Sequence, residues 1–201
     1  LSGQIISDAA ILEFDFIPTG DTLRFRYVFG SEEYPEYVCD IFNDAFGFFL
    51  SGPGINGPFS NNAKNIALIP STTVPITINT VNSGSPGGFN DATTCASADP
   101  NWVNNSIYYV DNGTGTTVVY DGFTTVLTAF SLVECGQLYH IKLAIGDGGD
   151  SSFDSAVFLE AGSFTSAGEV TATLTGGTGL NGTDLVEGCG PWDFVFTRVG
   201  E

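Results

Sequence analysis

The sequence predicts an all-β fold, an antiparallel β-sandwich of jelly-roll-like form with little helix. Three observations carry that expectation. Apolar and polar residues alternate with a period of two, as in Leu12, Phe14 and Phe16 against Glu13 and Asp15, or Tyr139, Ile141, Leu143 and Ile145 against His140 and Lys142. Turn signals part such segments at Pro18-Thr19-Gly20-Asp21, Asp111-Asn112-Gly113 and Asp121-Gly122. Hydrophobic residues make up 42% and aromatics 13% of 201 residues, enough to fill a sizeable core and unlike a disordered acidic tail.

In chain order, residues 11–16 and 22–29 read as a half-buried antiparallel hairpin across the Pro18–Asp21 turn, with Leu23, Phe25, Tyr27 and Phe29 on one face. Glu32 and Glu33 follow at the end of that strand or in the loop after it, because Pro35 excludes a continuing central strand. Asn43 and Asp44 immediately precede an apolar strand that ends at Leu50, and residues 51–59 form a Gly/Pro loop. Strands are expected at 65–69 and 73–80, the second at an edge or bulged because of Pro75. Residues 81–105, rich in Asn, Ser and Gly, read as a long functional or mobile loop that a disulfide through Cys95 would tether. Further strands are expected at 107–110, 116–120, 124–132, 138–145 and 156–159. The texture changes after that. Residues 1–168 read as one β domain, and 169–201 as a β extension or the start of another β module, leaning on the first through Trp192, Phe194 and a disulfide to Cys189, with a flexible linker as the competing reading.

The formal charge is −18, from 23 acidic and 5 basic residues. Such a chain repels nucleic acid and anionic membrane surfaces and favours multivalent cations. No apolar run is long enough for membrane insertion. Cys39, Cys95, Cys135 and Cys189 form no CxxC pair, which disfavours zinc; their even number suggests two disulfides and an oxidising compartment, with three connectivities open and buried free thiols as the alternative.

The stretch GDGGDSSFDSAVFLE, residues 146–160, sets Asp147, Asp150 and Asp154 in a glycine- and serine-rich turn that runs into an apolar strand. Carboxylates at close, irregular spacing suit a hard cation, and the spacing is not that of an EF-hand. In a sandwich, loop ends from different strands meet at one rim, where Glu32, Glu33, Asn43 and Asp44 would join them. Gathering so many acids without a cation would cost like-charge repulsion, so the expected metal is Ca2+. The plain alternative is a solvated turn whose aspartates cap backbone groups. Trp102, Asn104 and Tyr108 offer rings beside amides, a surface suited to stacking on sugars unless the rings belong to the core. The sole histidine, His140, falls on the polar face of a strand with no nucleophile elbow nearby, against Ser-His-Asp chemistry. Glu32 or Glu33 with Asp150 is a nameable carboxylate pair for glycoside hydrolysis, a weaker alternative.

Read as an ordered series, FGSEEYPEY, FNDAFGFFLSGPG, NIALIP, TTVPITINTVN, YDGFTTVLTA and CGQLYHIKLAIGDGGDSSFDSAVFLEAGSF resemble the choice-of-anchor L domain of large secreted or cell-surface bacterial proteins, over about the first 165 residues. The resemblance implies a β-rich, non-catalytic extracellular domain beside other modules of the same polypeptide. It transfers no ligand residues. The expected function is therefore a calcium-binding adhesion or carbohydrate-recognition module at the cell surface, whose partner is an extracellular glycan or protein. A structural spacer without ligand is the alternative.

Overall fold

The strongest alternation in the sequence sends one whole strand face into the core. In the computed structural model Leu23, Phe25, Tyr27 and Phe29 are no more than 3% exposed. The structure describes residues 6–88, 90–115, 118–149 and 152–166, and the backbone of strands at 170–175, 180–181, 184–185 and 193–198.

The strands of the first 165 residues are β1 (Ile6–Phe16), β2 (Thr22–Ser31), β3 (Ala45–Ser51), β4 (Lys64–Asn65), β5 (Tyr109–Asp111), β6 (Gly122–Thr124), β7 (Leu127–Leu132), β8 (Tyr139–Gly148) and β9 (Ser155–Leu159). They form two antiparallel sheets. The first has the order β1-β8-β3-β4, and the second is built around β2. Tyr27 pairs with both Leu127 and Leu159, and Gly30 with both Phe123 and Ala156, so β9 flanks β2 on the side opposite β6 and β7. β5 lies beyond β6. The expected all-β sandwich is what the chain forms.

Alternation decides which side chains enter the core. Phe46, Phe48 and Leu50 of β3 and Tyr139, Ile141 and Leu143 of β8 face β2. Aromatic contacts join the sheets: Phe29 stacks on Phe46 with centroids 4.8 Å apart, and Tyr27 meets Phe48 edge-on, also at 4.8 Å. Such pairs add to the area term of burial.

The expected β1–β2 hairpin does not form. The Pro18–Asp21 turn carries the chain from one sheet to the other, and β1 pairs with β8 through Leu12↔Leu143, Phe14↔Ile141 and Phe16↔Tyr139. As an edge strand it leaves Ile11 57% and Leu12 52% exposed. The strands expected at 65–69 and 73–80 shrink to β4 and the isolated bridges Leu68↔Pro75 and Ala45↔Thr77, because Pro70 and Pro75 cannot donate to a ladder. The segment still fills the core through Ile66, Ile69, Ile76 and Ile78. Of the strand expected at 116–120, residues 118–120 are a bend and 116–117 lie outside the described residues.

The long loop also carries structure. Asp91 caps a short helix α1 (Ala92–Ala98) by accepting from Thr93 N at 2.7 Å, and a 3-10 helix spans Trp102–Tyr108. Cys95 of α1 is bonded to Cys39, so the expected tether exists. Cys135 is an exposed free thiol, so the expectation of two bridges holds for one; Cys189 and Trp192 lie outside the described residues. Beyond the sandwich, β10 (Val170–Thr175), β11 (Leu180–Asn181), β12 (Asp184–Leu185) and β13 (Asp193–Arg198) make two small antiparallel pairs, β10 with β13 and β11 with β12.

Candidate functional site at the sheet rim

Antiparallel pairing brings four strand ends to one rim. Ala45, which opens β3, pairs with Gly146 near the end of β8, and Ser31, the last residue of β2, pairs with Ser155, the first of β9. The segment between Gly148 and Ser155 crosses from the first sheet to the second.

Asp44 sits at the centre of this crossing. Gly148 N donates to its Oδ1 at 3.2 Å and Ser155 Oγ donates to its Oδ2 at 2.6 Å, so one carboxylate holds both ends of the crossing segment and thereby both sheets. Extending the Ala45↔Gly146 register by one residue sets Asp44 opposite Asp147. Around this pair, Asn43 N donates to Gly148 O at 3.2 Å, Glu32 N to Asp154 O at 3.1 Å and Glu33 N to Ser31 Oγ at 2.9 Å. Asn43 Oδ1 accepts from Asn79 N at 3.1 Å.

Burial sorts the acids expected here into two groups. Glu33, Asp44 and Asp147 are 1%, 1% and 4% exposed. Glu32 and Asn43 are half-buried and Asp154 is exposed, while Asp150 lies outside the described residues. Glu32 and Asp154 are tied by their backbones at the outer margin, where both carboxylates add to the burial that raises the Tyr120 pKa. The donors are all oxygen: carboxylates, the Ser31 and Ser155 hydroxyls, and backbone carbonyls, which is hard-cation chemistry. Among the described residues no group of three or more His, Cys, Asp or Glu side chains is arranged to hold a metal ion. Ser31 and Ser155 were not anticipated; the only sequence signal for Ser155 is its place directly before an apolar strand.

Inward from the rim, the Tyr34 hydroxyl donates to Val81 O at 2.6 Å, and its ring lies 5.0 Å from that of Tyr109. Burial, then the neighbouring Tyr109 and Asp44, raises the Tyr34 pKa well above its usual value. Burial, then Asp111, Asp121 and Glu36, pushes Tyr109 up to about 12. Between the unfolded value of 10.0 and about 12, the unfolded chain loses a proton that folded Tyr109 keeps, so stability falls as pH rises through that window and is fully present below it. Denaturant midpoints across this range, with phenolate absorbance followed in parallel, check the expectation; a constant midpoint contradicts it.

The residues expected to stack on sugars are placed differently. Trp102 is 5% exposed and belongs to the core, so it has no ring face to offer a ligand. Its burial follows from a polar anchor: Asn105 Nδ2 donates to Asp99 Oδ2 and to Thr80 O, both at 2.8 Å, and Trp102 N donates to Asp99 O at 3.0 Å. Tyr108 is partly buried against the core and Asn104 is exposed. His140 lies on the outer face as expected, with Nδ1 2.7 Å from Asp15 Oδ1.

Neither a curated protein nor a solved structure matches the chain at a significant level. The family model of the Choice-of-anchor L domain matches residues 1–165, which run through β9 to the Arg24↔Thr165 bridge that ends the second sheet, and the chain belongs to that family.

Proposed function

We propose that the chain is a non-enzymatic adhesion module that binds Ca2+ at the rim around Asp44 and Asp147 and meets an extracellular glycan or protein through its outer surface. Its family, one of bacterial surface-associated modules, supports a secreted or cell-surface placement. The observation that supports calcium is the burial of three carboxylates, Glu33, Asp44 and Asp147, at the crossing between the sheets of a chain with 23 acids and 5 basic residues. Ionised carboxylates facing one another across a strand pair repel, and a divalent cation or a shared proton relieves that repulsion. Glu33, Asp44 and Asp147 are the side chains that would ligate it. An ion there would fix the crossing segment as a rigid edge of the surface.

Burial of Glu33 also disfavours hydrolysis, since a catalytic carboxylate must reach its glycosidic bond. The cavities lined by Asp40, by Glu13, by Glu160 and by Asp15 each carry that one carboxylate, without a second among the described residues to pair with it.

Calcium titration by calorimetry on EDTA-stripped protein tests the reading, with a melting curve at each end point. The expected result is micromolar or tighter binding that Asp147→Asn weakens at least tenfold, and a stabilisation of about 2.7 kcal/mol when calcium reaches a hundred times its Kd. No heat and no shift in melting would leave a structural spacer.

A further inference from the structure

A polar and aromatic cavity lies on the outer face of the first sheet. The alternation that sends Phe48, Leu50 and Ile141 inward leaves Phe49, Ser51, His140 and Lys142 outward. Strand register aligns them into two rows: Glu13, Lys142 and Phe49 cross β1, β8 and β3, and Asp15, His140 and Ser51 form the next row. The 52–63 loop then folds back over the sheet. Gly57 N donates to Asn62 O at 2.7 Å and Phe59 N to Ala63 O at 3.1 Å, which holds Phe59 edge-on to Phe49 with centroids 4.8 Å apart. Phe49 lies back along its own strand over Gly47, where a Cβ would come within 2.6 Å of the ring. Glu13, Lys142, Phe49, Ser51, Phe59 and Asn61 enclose a half-open cavity of about 310 Å³.

We propose that this cavity binds a neutral sugar unit of an extracellular polysaccharide. A pyranose has an apolar C–H face and a rim of hydroxyls, each able both to donate and to accept. The Phe49–Phe59 corner offers the apolar wall. The Glu13 carboxylate and Lys142 ammonium, 3.5 Å apart, set an acceptor beside a donor, as adjacent hydroxyls require, and Ser51 and Asn61 add neutral partners. Charge selects against acidic sugars: the carboxylates of Glu13 and Asp15 outnumber the single Lys142 ammonium locally, and the whole chain carries −18. The volume lies at the small end of the range for ligand pockets, roughly 300–1,000 Å³, and the open side lets a polymer continue past it. The sequence-level expectation of sugar stacking thus moves from Trp102 and Tyr108 to Phe49 and Phe59. This assignment rests on the surface-module reading but shares no residue with the calcium rim.

Calorimetry with cellohexaose, laminarihexaose, mannohexaose and xylohexaose, and with polygalacturonate as the acidic comparison, tests the proposal in EDTA and again in calcium. The expected result is binding of at least one neutral chain, weakened about tenfold or more by Phe59→Ala and by Lys142→Met with melting unchanged. Gly47→Ala should also weaken it by lifting the Phe49 ring. No neutral chain bound, binding of polygalacturonate alone, or full affinity in Phe59→Ala and Lys142→Met would each overturn the proposal. Sugar binding without calcium heat sinks only the calcium reading, and calcium heat without sugar binding sinks only this one.

Discussion

Replacing Cys39 and Cys95 by alanine, or reducing their bond, is expected to lower the stability of the sandwich by about 4 kcal/mol on the chain-entropy account of cross-links. The bridge closes a loop of 56 residues in sequence separation, so the unfolded chain regains a large conformational freedom when it is cut. The native side adds to this. α1 has seven residues, too few to hold a helix alone, and its single buried residue is Cys95. The turn ending in Cys39 is fixed by Asn79, whose Oδ1 accepts from Cys39 N at 2.7 Å and whose Nδ2 donates to Asp40 O at 2.8 Å. Denaturant unfolding with and without reductant measures the difference, and hydrogen exchange should report faster opening in residues 92–105. Cys135→Ser is the control expected to change nothing, because that thiol is exposed and unbonded. A loss below about 1 kcal/mol would mean that Asp99, Asn105 and the core hold the segment without the bridge.

Which parts of this architecture can be read from residues alone follows from what a period-two pattern encodes. It states which face of a strand is apolar, and so β2, β3 and β8 were legible. It does not state which strand lies alongside, and so the same alternation in β1 does not reveal that its neighbour is β8 and not β2: the Pro18–Asp21 turn that suits a hairpin equally suits a crossing between sheets. The acids of the rim were legible as residue types beside apolar strands, because strand ends in a sandwich collect at rims. Their division into buried Glu33, Asp44 and Asp147 and exposed Asp154 was not, since the burial of Asp44 goes with Ser155 and Gly148 arriving from distant positions. Trp102 shows the same limit in reverse. A Gly/Asn/Ser composition conceals a buried Asp99–Asn105 contact that turns a loop ring into a core ring. The outer cavity was invisible because Glu13, Lys142 and Phe49 become neighbours only through the register of three strands.

Asp44→Ala is expected to be the most damaging single change at the rim. It removes two hydrogen bonds at once and leaves the Gly148 N–H and the Ser155 hydroxyl without that acceptor where the two sheets meet. Groups buried and deprived of a partner cost about 1–3 kcal/mol each, so a total of about 3 kcal/mol is expected. For a domain of this size that corresponds to roughly 6–12 °C in melting temperature. Asp44→Asn should fall between the two, keeping one acceptor and turning an N–H toward the other donor. A double-mutant cycle with Ser155→Ala isolates the contact across the sheets, and a coupling energy near zero would show that the hydroxyl bond contributes nothing to holding them together. Calcium then separates structure from binding. If Asp44 acts only as a staple, its loss lowers the melting temperature equally in EDTA and in calcium. If it also shapes an ion site, the calcium-dependent rise disappears with it, and the mutant's deficit is larger in calcium by the whole of the linkage energy.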